Sequence, residues 1–133
     1  GLSVRDPNKP EKYLGTEDGW YKAEQFLEEI AKEENLPYKR EEGEAAFYGP
    51  KLDFQFKDAI GRKWQLATIQ IDFVQPENFS LEYTDKEGKK QTAVMIHRAI
   101  AGSLERFMSV IIEHFAGALP AWLSPVQAHI IPV

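Results

Sequence analysis

The residues of this sequence that could do chemistry fall into a few short groups. The clearest are Tyr48-Gly-Pro-Lys51, the pair Gln65 and Gln70, the dipeptide His97-Arg98, and Gly102-Ser-Leu-Glu-Arg106. Glutamine amides can hydrogen-bond the hydroxyl, amide or phosphate edge of a ligand, and guanidinium groups attract anions. Each group alone also has an ordinary structural interpretation, so its meaning depends on whether the fold brings the groups together.

Arg106 lies within the first turns of a predicted helix. The helix begins after the small-residue turn at Ala101-Gly102-Ser103, and apolar residues then recur three and four positions apart. A cation near a helix start opposes the helix dipole, which favours anions there. Arg106 therefore either meets a ligand or pairs with a nearby carboxylate at the surface. The apolar spacing indicates one buried face, formed by Leu104, Phe107, Met108, Ile111, Ile112 and Phe115.

The other candidates are ambiguous when they are taken singly. The Tyr48-Gly-Pro-Lys51 segment predicts a turn that aims its first and last side chains over the following strand, although a plain structural turn is the simpler interpretation. Gln65 and Gln70 are separated by an odd number of residues, so a regular strand places them on opposite faces. They share a pocket only if a bulge intervenes. A lone His97 does not make a zinc site, which needs three or four protein ligands.

The first part of the chain is predicted to supply a helix and two short strands. Residues 2–5 are predicted to form a strand and residues 7–15 a loop. A helix follows, capped by Thr16 or Asp18 and ended by Asn35 in a left-handed conformation. Residues 36–42 contain a proline and several charges, which suit an edge strand. The helix has an apolar stripe, Trp20, Ala23, Phe26, Leu27 and Ile30, and a charged face interpreted as solvated, Glu24, Glu28, Glu29, Lys32 and Glu33.

The middle of the chain predicts two β-hairpins. Residues 51–57 alternate apolar and polar side chains, residues 58–61 form a turn, and residues 62–74 form a long second strand. The second hairpin pairs residues 81–84 with residues 91–96 across a polar turn. We therefore predict an α+β fold, in which an antiparallel sheet is backed by helices, including the helix from Gly102 to about His114.

The end of the chain predicts a stiff connector over residues 117–125 and a new strand over Val126–Val133. We place a domain boundary here, with residues 1–119 as one partial domain and residues 120–133 as a linker and the first strand of the next. A strand with no later partner suggests a portion of something larger. An open sheet edge and an apolar strand without partners also predict self-association.

Composition excludes several classes of protein. The 133 residues include 16 basic and 21 acidic side chains, a net charge of −5, which disfavours a freestanding, non-specific nucleic-acid binder. There is no cysteine, so this sequence supplies neither a disulfide nor a cysteine ligand for a metal. It also contains no 18-residue apolar run and no signal-peptide pattern at its start, so we expect no membrane association and a cytoplasmic location.

Taken in order, three blocks of this sequence resemble threonyl-tRNA synthetase, a class II aminoacyl-tRNA synthetase. The blocks are residues 44–53, EAAFYGPKLD, residues 64–73, WQLATIQIDF, and residues 95–106, MIHRAIAGSLER. The last resembles that family's version of class II motif 3, although only Gly102 occupies one of its three usual glycine positions. The resemblance covers nearly the whole chain and implies the C-terminal part of a class II catalytic domain, followed by the opening of an anticodon-binding domain.

This resemblance implies an activity and its ligands. Members of the family activate threonine with ATP and magnesium and transfer it to the 3′ end of tRNA(Thr). Arg106 would stabilise the ATP as a cationic clamp or plate, and Gln65 would also face the nucleotide. Arg106 and Lys51 would be the catalytic residues.

The resemblance also implies a metal site. His97 would be one of three protein ligands of a zinc ion that binds the amino and hydroxyl groups of threonine, and so rejects an isosteric apolar side chain. The amino-acid and tRNA-end side of the pocket would be lined by Tyr48, Lys51, Thr68, Gln70 and Ser103. The full enzyme would be a homodimer.

Much of the family pattern lies outside this sequence, including motifs 1 and 2 and the other zinc ligands. We therefore expect a portion of threonine–tRNA ligase that has no activity alone. Two alternatives stay open. One is a non-catalytic, synthetase-like binding or regulatory module. The other is a class II enzyme for another amino acid, such as proline or serine, against which the His97 block argues.

Overall fold

The computed structural model describes residues 1–132, which form three helices and seven strands. The helices are α1 (Glu17–Glu33), α2 (Gln75–Asn78) and α3 (Leu104–Phe115), and single 3₁₀ turns occur at Pro10–Lys12 and Ala121–Leu123. The strands are β1 (Leu2–Val4), β2 (Arg40–Glu42), β3 (Lys51–Lys57), β4 (Lys63–Asp72), β5 (Glu82–Thr84), β6 (Lys90–Thr92) and β7 (Met95–Ala99).

Five of these strands form one sheet in the order β2-β1-β3-β4-β7. The pairing of β1 with β2 is parallel, and the other three pairings are antiparallel. Strands β5 and β6 form a separate antiparallel hairpin. The α+β prediction is confirmed, but the predicted antiparallel sheet is mixed, because β1 and β2 pair in parallel. The turns predicted between β3 and β4 and between β5 and β6 are present. The predicted edge strand is also present, although it is shorter than residues 36–42 because pairing begins only at Arg40.

Helix α1 packs on one face of this sheet and makes the core. The Thr16 side chain accepts a hydrogen bond from the backbone N–H of Gly19 and caps the helix, which gives way to a left-handed Asn35 two residues beyond its last turn. The core consists of buried apolar residues from α1, β1, β3 and β4: Leu2, Val4, Ala23, Leu27, Ala31, Leu52 and Ile71. The opposite face of the sheet carries the polar side chains.

One charged residue of α1 departs from the prediction of a solvated face. Glu24 is buried, and its carboxylate accepts a 2.5 Å hydrogen bond from Arg40 on β2. Arg5 forms a salt bridge with the same carboxylate, with its Nε 3.6 Å from Oε1. Glu24 was predicted to be exposed because it lies outside the apolar stripe. It is buried because two arginines cover it, Arg40 on β2 and Arg5 directly after β1.

Helix α3 has the predicted length but not the predicted environment. None of its residues is buried, and Leu104 and Met108 are 71% and 51% exposed. The prediction that α3 backs the sheet with a buried apolar face is therefore wrong for the described residues, where α1 has that role. α3 is tethered by polar contacts instead, and Arg62 forms a salt bridge with Glu113 at 2.8 Å.

The strand predicted to lead into His97 is divided in two. Pairing in the β5–β6 hairpin stops at Thr92, and β7 then begins at Met95 and joins β4. His97 and Arg98 consequently lie inside a strand, not beyond its end. Residues 75–78, which lie between the two predicted hairpins and were assigned no element, form the short helix α2.

The predicted strand over Val126–Val133 is not formed by residues 126–132, which have no strand pairing. Val133 lies outside the described residues. The side chains of Ile130 and Ile131 are 96% and 83% exposed, so no packing partner holds this segment extended. The domain boundary near residue 119 stays a prediction. None of the helices in residues 1–132 combines the length and hydrophobicity that crossing a bilayer requires.

Candidate functional site

The predicted site residues lie on the polar face of the sheet, in rows that run across β3, β4 and β7. Lys51, Gln70 and His97 form one row, because Gln70 is paired with Lys51 on one side and with His97 on the other. In the next row Thr68 is paired with Asp53. Side chains of directly paired residues point to the same side of a sheet. The register therefore gathers residues that lie far apart in the sequence.

A bulge in β4 brings Gln65 onto the same face. Phe54 is paired with Ala67, but the next residue of β3, Gln55, is paired with Gln65, so Leu66 is an extra residue. An extra residue reverses the alternation beyond it. The Gln65 Nε2 consequently donates to the Thr68 hydroxyl at 2.8 Å. The condition under which Gln65 and Gln70 could share a face is met.

Asp53 is the centre of this arrangement, and the sequence analysis did not select it. It is buried, and its carboxylate accepts hydrogen bonds from four side chains. The donors are Ser3 at 2.9 Å, Lys51 at 2.5 Å, Gln65 at 2.5 Å and Thr68 at 2.7 Å. The alternation of residues 51–57 already places Asp53 on the same face as Lys51, so the sequence pattern could have identified it as a neighbour of the site. The network fixes three of the predicted ligand-binding side chains.

The turn before β3 positions Tyr48 over the same face. Gly49 has no room for a side chain, because a Cβ there would lie 1.7 Å from the carbonyl oxygen of Ile71. The Ile71 N–H also donates to the Pro50 carbonyl, so the turn is fastened to β4. The Tyr48 hydroxyl then donates to Gln70 Oε1 at 3.0 Å. This turn is structurally required and also presents a candidate site residue, Tyr48.

The amide nitrogen of Gln70 has no hydrogen-bond partner among the described residues. Gln70 is 7% exposed, and its Nε2 is a buried donor without an acceptor among the described residues. A buried unsatisfied donor costs about 1–3 kcal/mol. Such a group, beside Tyr48 and in the row of His97, is typical of a site that a ligand completes.

His97 is held by a second buried carboxylate. Its Nε2 lies 2.9 Å from Oδ2 of Asp72, which is fully buried. The Tyr48 ring packs edge-on against the imidazole with centroids 5.9 Å apart. Arg98 lies on the opposite face, where it is paired with Ile69. Of the two candidates in the His97-Arg98 dipeptide, only His97 joins the polar face.

Arg106 reaches the site from the first turn of α3. Ser103 caps this helix by accepting a hydrogen bond from the Arg106 N–H, after a left-handed Gly102 packed against the carbonyl of Leu66. The Arg106 guanidinium donates to the Gln65 carbonyl at 2.9 Å and lies 6.0 Å from the centre of the Trp64 ring. Among the described residues it forms no ion pair with a carboxylate, which leaves its charge available for a ligand.

A further carboxylate holds the turn between β3 and β4. Asp58 accepts hydrogen bonds from the side chains of Trp64 and Arg62 and from backbone N–H groups of the turn. Burial by itself raises the pKa of Asp58, but the hydrogen bonds from Trp64 and Arg62 outweigh it and lower this pKa from 3.8 to about 2. The turn therefore carries a fixed negative charge at neutral pH.

The groups on this face could bind a ligand and stabilise negative charge. It presents amide, hydroxyl, imidazole, ammonium and guanidinium groups. Within residues 1–132 no cluster of three or more potential ligands could hold a metal ion by itself. His97 could supply one ligand, since Asp72 hydrogen-bonds one of its ring nitrogens, Nε2, and leaves the other without a partner among the described residues. An apolar groove of about 650 Å³, lined by Ala23, Phe26, Phe73, Val94 and Ile96 among others, lies on the opposite face and shares none of these groups.

Comparison with known proteins finds threonine–tRNA ligases among the relatives of this chain. Threonine–tRNA ligase of Bacteroides thetaiotaomicron is 57% identical over 132 residues, and that of Thermus thermophilus is 58% identical over 132 residues. Each alignment covers 99% of this chain but 20% of the relative, so the chain spans about a fifth of these relatives.

Two solved structures are also similar. The RNA binding domain of threonyl-tRNA synthetase from Cryptosporidium parvum is 44% identical with a TM-score of 0.83, covering 93% of this chain and 30% of that one. A putative threonyl-tRNA synthetase from Aeropyrum pernix is 39% identical with a TM-score of 0.71, covering 87% and 27%. The family profile of the tRNA synthetase class II core domain (G, H, P, S and T) matches residues 40–115, which include every candidate site residue. This match covers more than half of the chain. The chain therefore belongs to the family of class II tRNA synthetase core domains.

Proposed function

We propose that this chain is part of the catalytic domain of a threonine–tRNA ligase, and that its polar sheet face forms one wall of the active site. The observation that carries the proposal is the buried, orphaned Nε2 of Gln70, in the same row as Lys51 and His97. The similarity to threonine–tRNA ligases supports the assignment of the substrate. The ligand of this wall is threonine, beside ATP and the 3′ end of tRNA(Thr).

The residues divide into two sides. Arg106, beside Gln65, takes the nucleotide side, where a guanidinium stabilises the negative charge of ATP with its Mg²⁺. Tyr48, Lys51, Thr68 and Gln70 take the side of the amino acid and the tRNA end, near Ser103. The fixed network around Asp53 positions these groups before the substrate arrives, which is what charge stabilisation requires.

His97 is the residue of this wall that suits a zinc ion. The ion would coordinate the amino and hydroxyl groups of threonine and would distinguish it from valine, which has no hydroxyl. His97 fits as a ligand because a buried carboxylate orients its ring, as is usual for metal-bound histidines. Further ligands would come from other parts of the ligase, since the described residues supply no complete set.

A second candidate function is RNA binding without catalysis. The specific observation in its favour is that the Cryptosporidium structure is named an RNA binding domain. The net charge of −5 argues against general affinity for RNA, so tRNA contact would be local to the pocket. An assay of amino-acid activation without tRNA separates the two functions.

The test is threonine-dependent ATP–pyrophosphate exchange by the full-length ligase that contains this chain. Arg106→Ala should lower the rate at least about 100-fold, which is about 3 kcal/mol, because one donor to the developing charge is lost. Arg98→Ala is the matched control, since Arg98 lies on the opposite face, and it should retain the rate. Equal rates for the Arg106 and Arg98 variants would refute the assignment of the nucleotide side.

A further inference from the structure

We propose that Asp72 is a positioning residue that sets the tautomer of His97. In this arrangement the His97 Nε2 carries the proton and donates a hydrogen bond to Oδ2 of Asp72, and Nδ1 is left unprotonated as the atom that binds a metal. The metal part of this inference rests on the proposed function, whereas the tautomer part concerns this chain alone.

The first support is the geometry of the Asp72 carboxylate. Its Oδ1 accepts hydrogen bonds from the backbone N–H groups of Val74 at 3.0 Å and Gln75 at 2.9 Å. Its Oδ2 lies 2.9 Å from His97 Nε2. The residue has 0% exposure, so no water competes at either oxygen. The two backbone donors fix the rotation of the carboxylate and keep Oδ2 aimed at His97.

The second support is the donor and acceptor balance. An ionised carboxylate only accepts hydrogen bonds, so a neutral imidazole facing it must place its one proton on the facing nitrogen. Nδ1 has no hydrogen-bond partner among the described residues, and 43% of the His97 side chain is exposed. The free nitrogen is therefore both unprotonated and accessible. These are the two properties that a metal ligand needs.

Asparagine at this position would reverse the arrangement. The Oδ1 of Asp72→Asn can still accept from Val74 and Gln75, while its amide N–H₂ takes the place of Oδ2. A donor in that place requires His97 Nε2 to accept, which moves the proton to Nδ1 and blocks the metal-binding atom. The same substitution in a serine-protease triad holds the catalytic histidine in the wrong tautomer.

The experiment is a long-range ¹H–¹⁵N correlation spectrum of the histidine rings in the metal-free 133-residue chain at pH 8, where an imidazole is ordinarily neutral. We expect the wild-type His97 signals of the Nε2–H tautomer, and a shift towards the Nδ1–H tautomer in Asp72→Asn. A wild-type proton on Nδ1 would overturn the proposal, and this first spectrum needs no variant to fold. Nitrogen shifts that do not change in a folded Asp72→Asn would overturn it as well.

Asp85→Asn is the matched control. Asp85 also accepts two backbone N–H groups on Oδ1 and a side-chain amide on Oδ2, but it lies in the β5–β6 turn and has no contact with His97. It should leave the His97 spectrum unchanged. A change equal to that of Asp72→Asn would mean that any loss of an aspartate charge has the effect, and would refute a specific role for Asp72.

A second measurement connects the tautomer to the metal. In the full-length ligase, Asp72→Asn should weaken zinc affinity about 10- to 100-fold, as other changes to the carboxylate partners of metal-bound histidines do. If Asp72→Asn moves the His97 proton as expected but leaves zinc affinity unchanged, Asp72 still sets the tautomer of His97. The link between that tautomer and metal binding would then be refuted. Failure of the proposed function would give a different result. If His97 is not a zinc ligand, the His97→Ala variant would bind as much zinc as the wild type.

Discussion

At the scale of single residues, two buried aspartates fix the polar face of the sheet. Asp53 accepts from Lys51, Gln65 and Thr68, and Asp72 holds His97. Neither was selected from the sequence, because alternation shows which face of a strand an aspartate lies on but not which side chains of the neighbouring strands surround it. What each of them binds depends on the register between strands, and the register is visible only in the fold.

The carboxylate of Asp58 should make the stability of the fold depend on pH. Its pKa is about 2 in the folded chain, below the ordinary 3.8, so its charge favours the folded state above about pH 4. That contribution is lost as the pH falls from about 4 through about 2. Thermal unfolding should therefore show a smaller acid-induced drop in Tm for Asp58→Asn than for the wild type.

The control for this measurement is Asp18→Asn, since Asp18 lies exposed on α1 in a salt bridge with Lys22. Exposed pairs of this type contribute at most about 1 kcal/mol, so the acid-induced drop should match that of the wild type. Parallel Tm curves for wild type and Asp58→Asn would show that the carboxylate does not stabilise the turn.

At the scale of elements, the contact of α1 with β1 and β2 depends on a buried charge. Glu24→Ala removes the acceptor of Arg40 and Arg5, and should lower the free energy of unfolding by about 2 kcal/mol, the magnitude of a charged hydrogen bond. Glu29→Ala, on the exposed side of the same helix, should change it by no more than about 0.5 kcal/mol. Urea unfolding measures both, and equal effects would mean that the burial of Glu24 adds no stability.

The local periodicity of the sequence accounts for the elements that it predicted correctly. Alternation fixed β3 and the span of β4, and a threonine cap and a left-handed asparagine bounded α1. The bulge at Leu66 could be named only as a condition, because an extra residue leaves no mark in an alternating pattern. Tertiary contacts decided the rest. An apolar stripe predicts that α3 needs a partner, but not where the partner is.

Helix α3 gives a second reason to expect the self-association that was predicted from the open sheet edge and residues 126–133. With its apolar stripe exposed, the chain should show an average mass above that of a monomer by light scattering at micromolar concentration. Met108→Lys should lower this mass, because it places a charge within the stripe. Ser109→Lys, outside the stripe on the same helix, should not lower it. A strictly monomeric wild type would contradict the expectation.

At the scale of the whole molecule, the proposed function makes this chain one wall of a larger site. It spans about a fifth of the threonine–tRNA ligases that it matches, and residues 1–132 contain no complete set of metal ligands. The 133-residue chain should therefore show no threonine-dependent ATP–pyrophosphate exchange above background. The full-length ligase serves as the positive control, and robust exchange by the short chain would mean that the wall is a complete site.

The central claim is that this polar face belongs to a zinc-dependent threonine site. The most direct measurement is metal analysis of the full-length ligase, comparing wild type with His97→Ala and with His114→Ala. His114 is the control because its ring packs on Phe115 at the far end of α3. We predict stoichiometric zinc in the wild type and in the His114 variant, and loss of zinc in the His97 variant. Zinc retained at the wild-type level after His97→Ala would contradict the account.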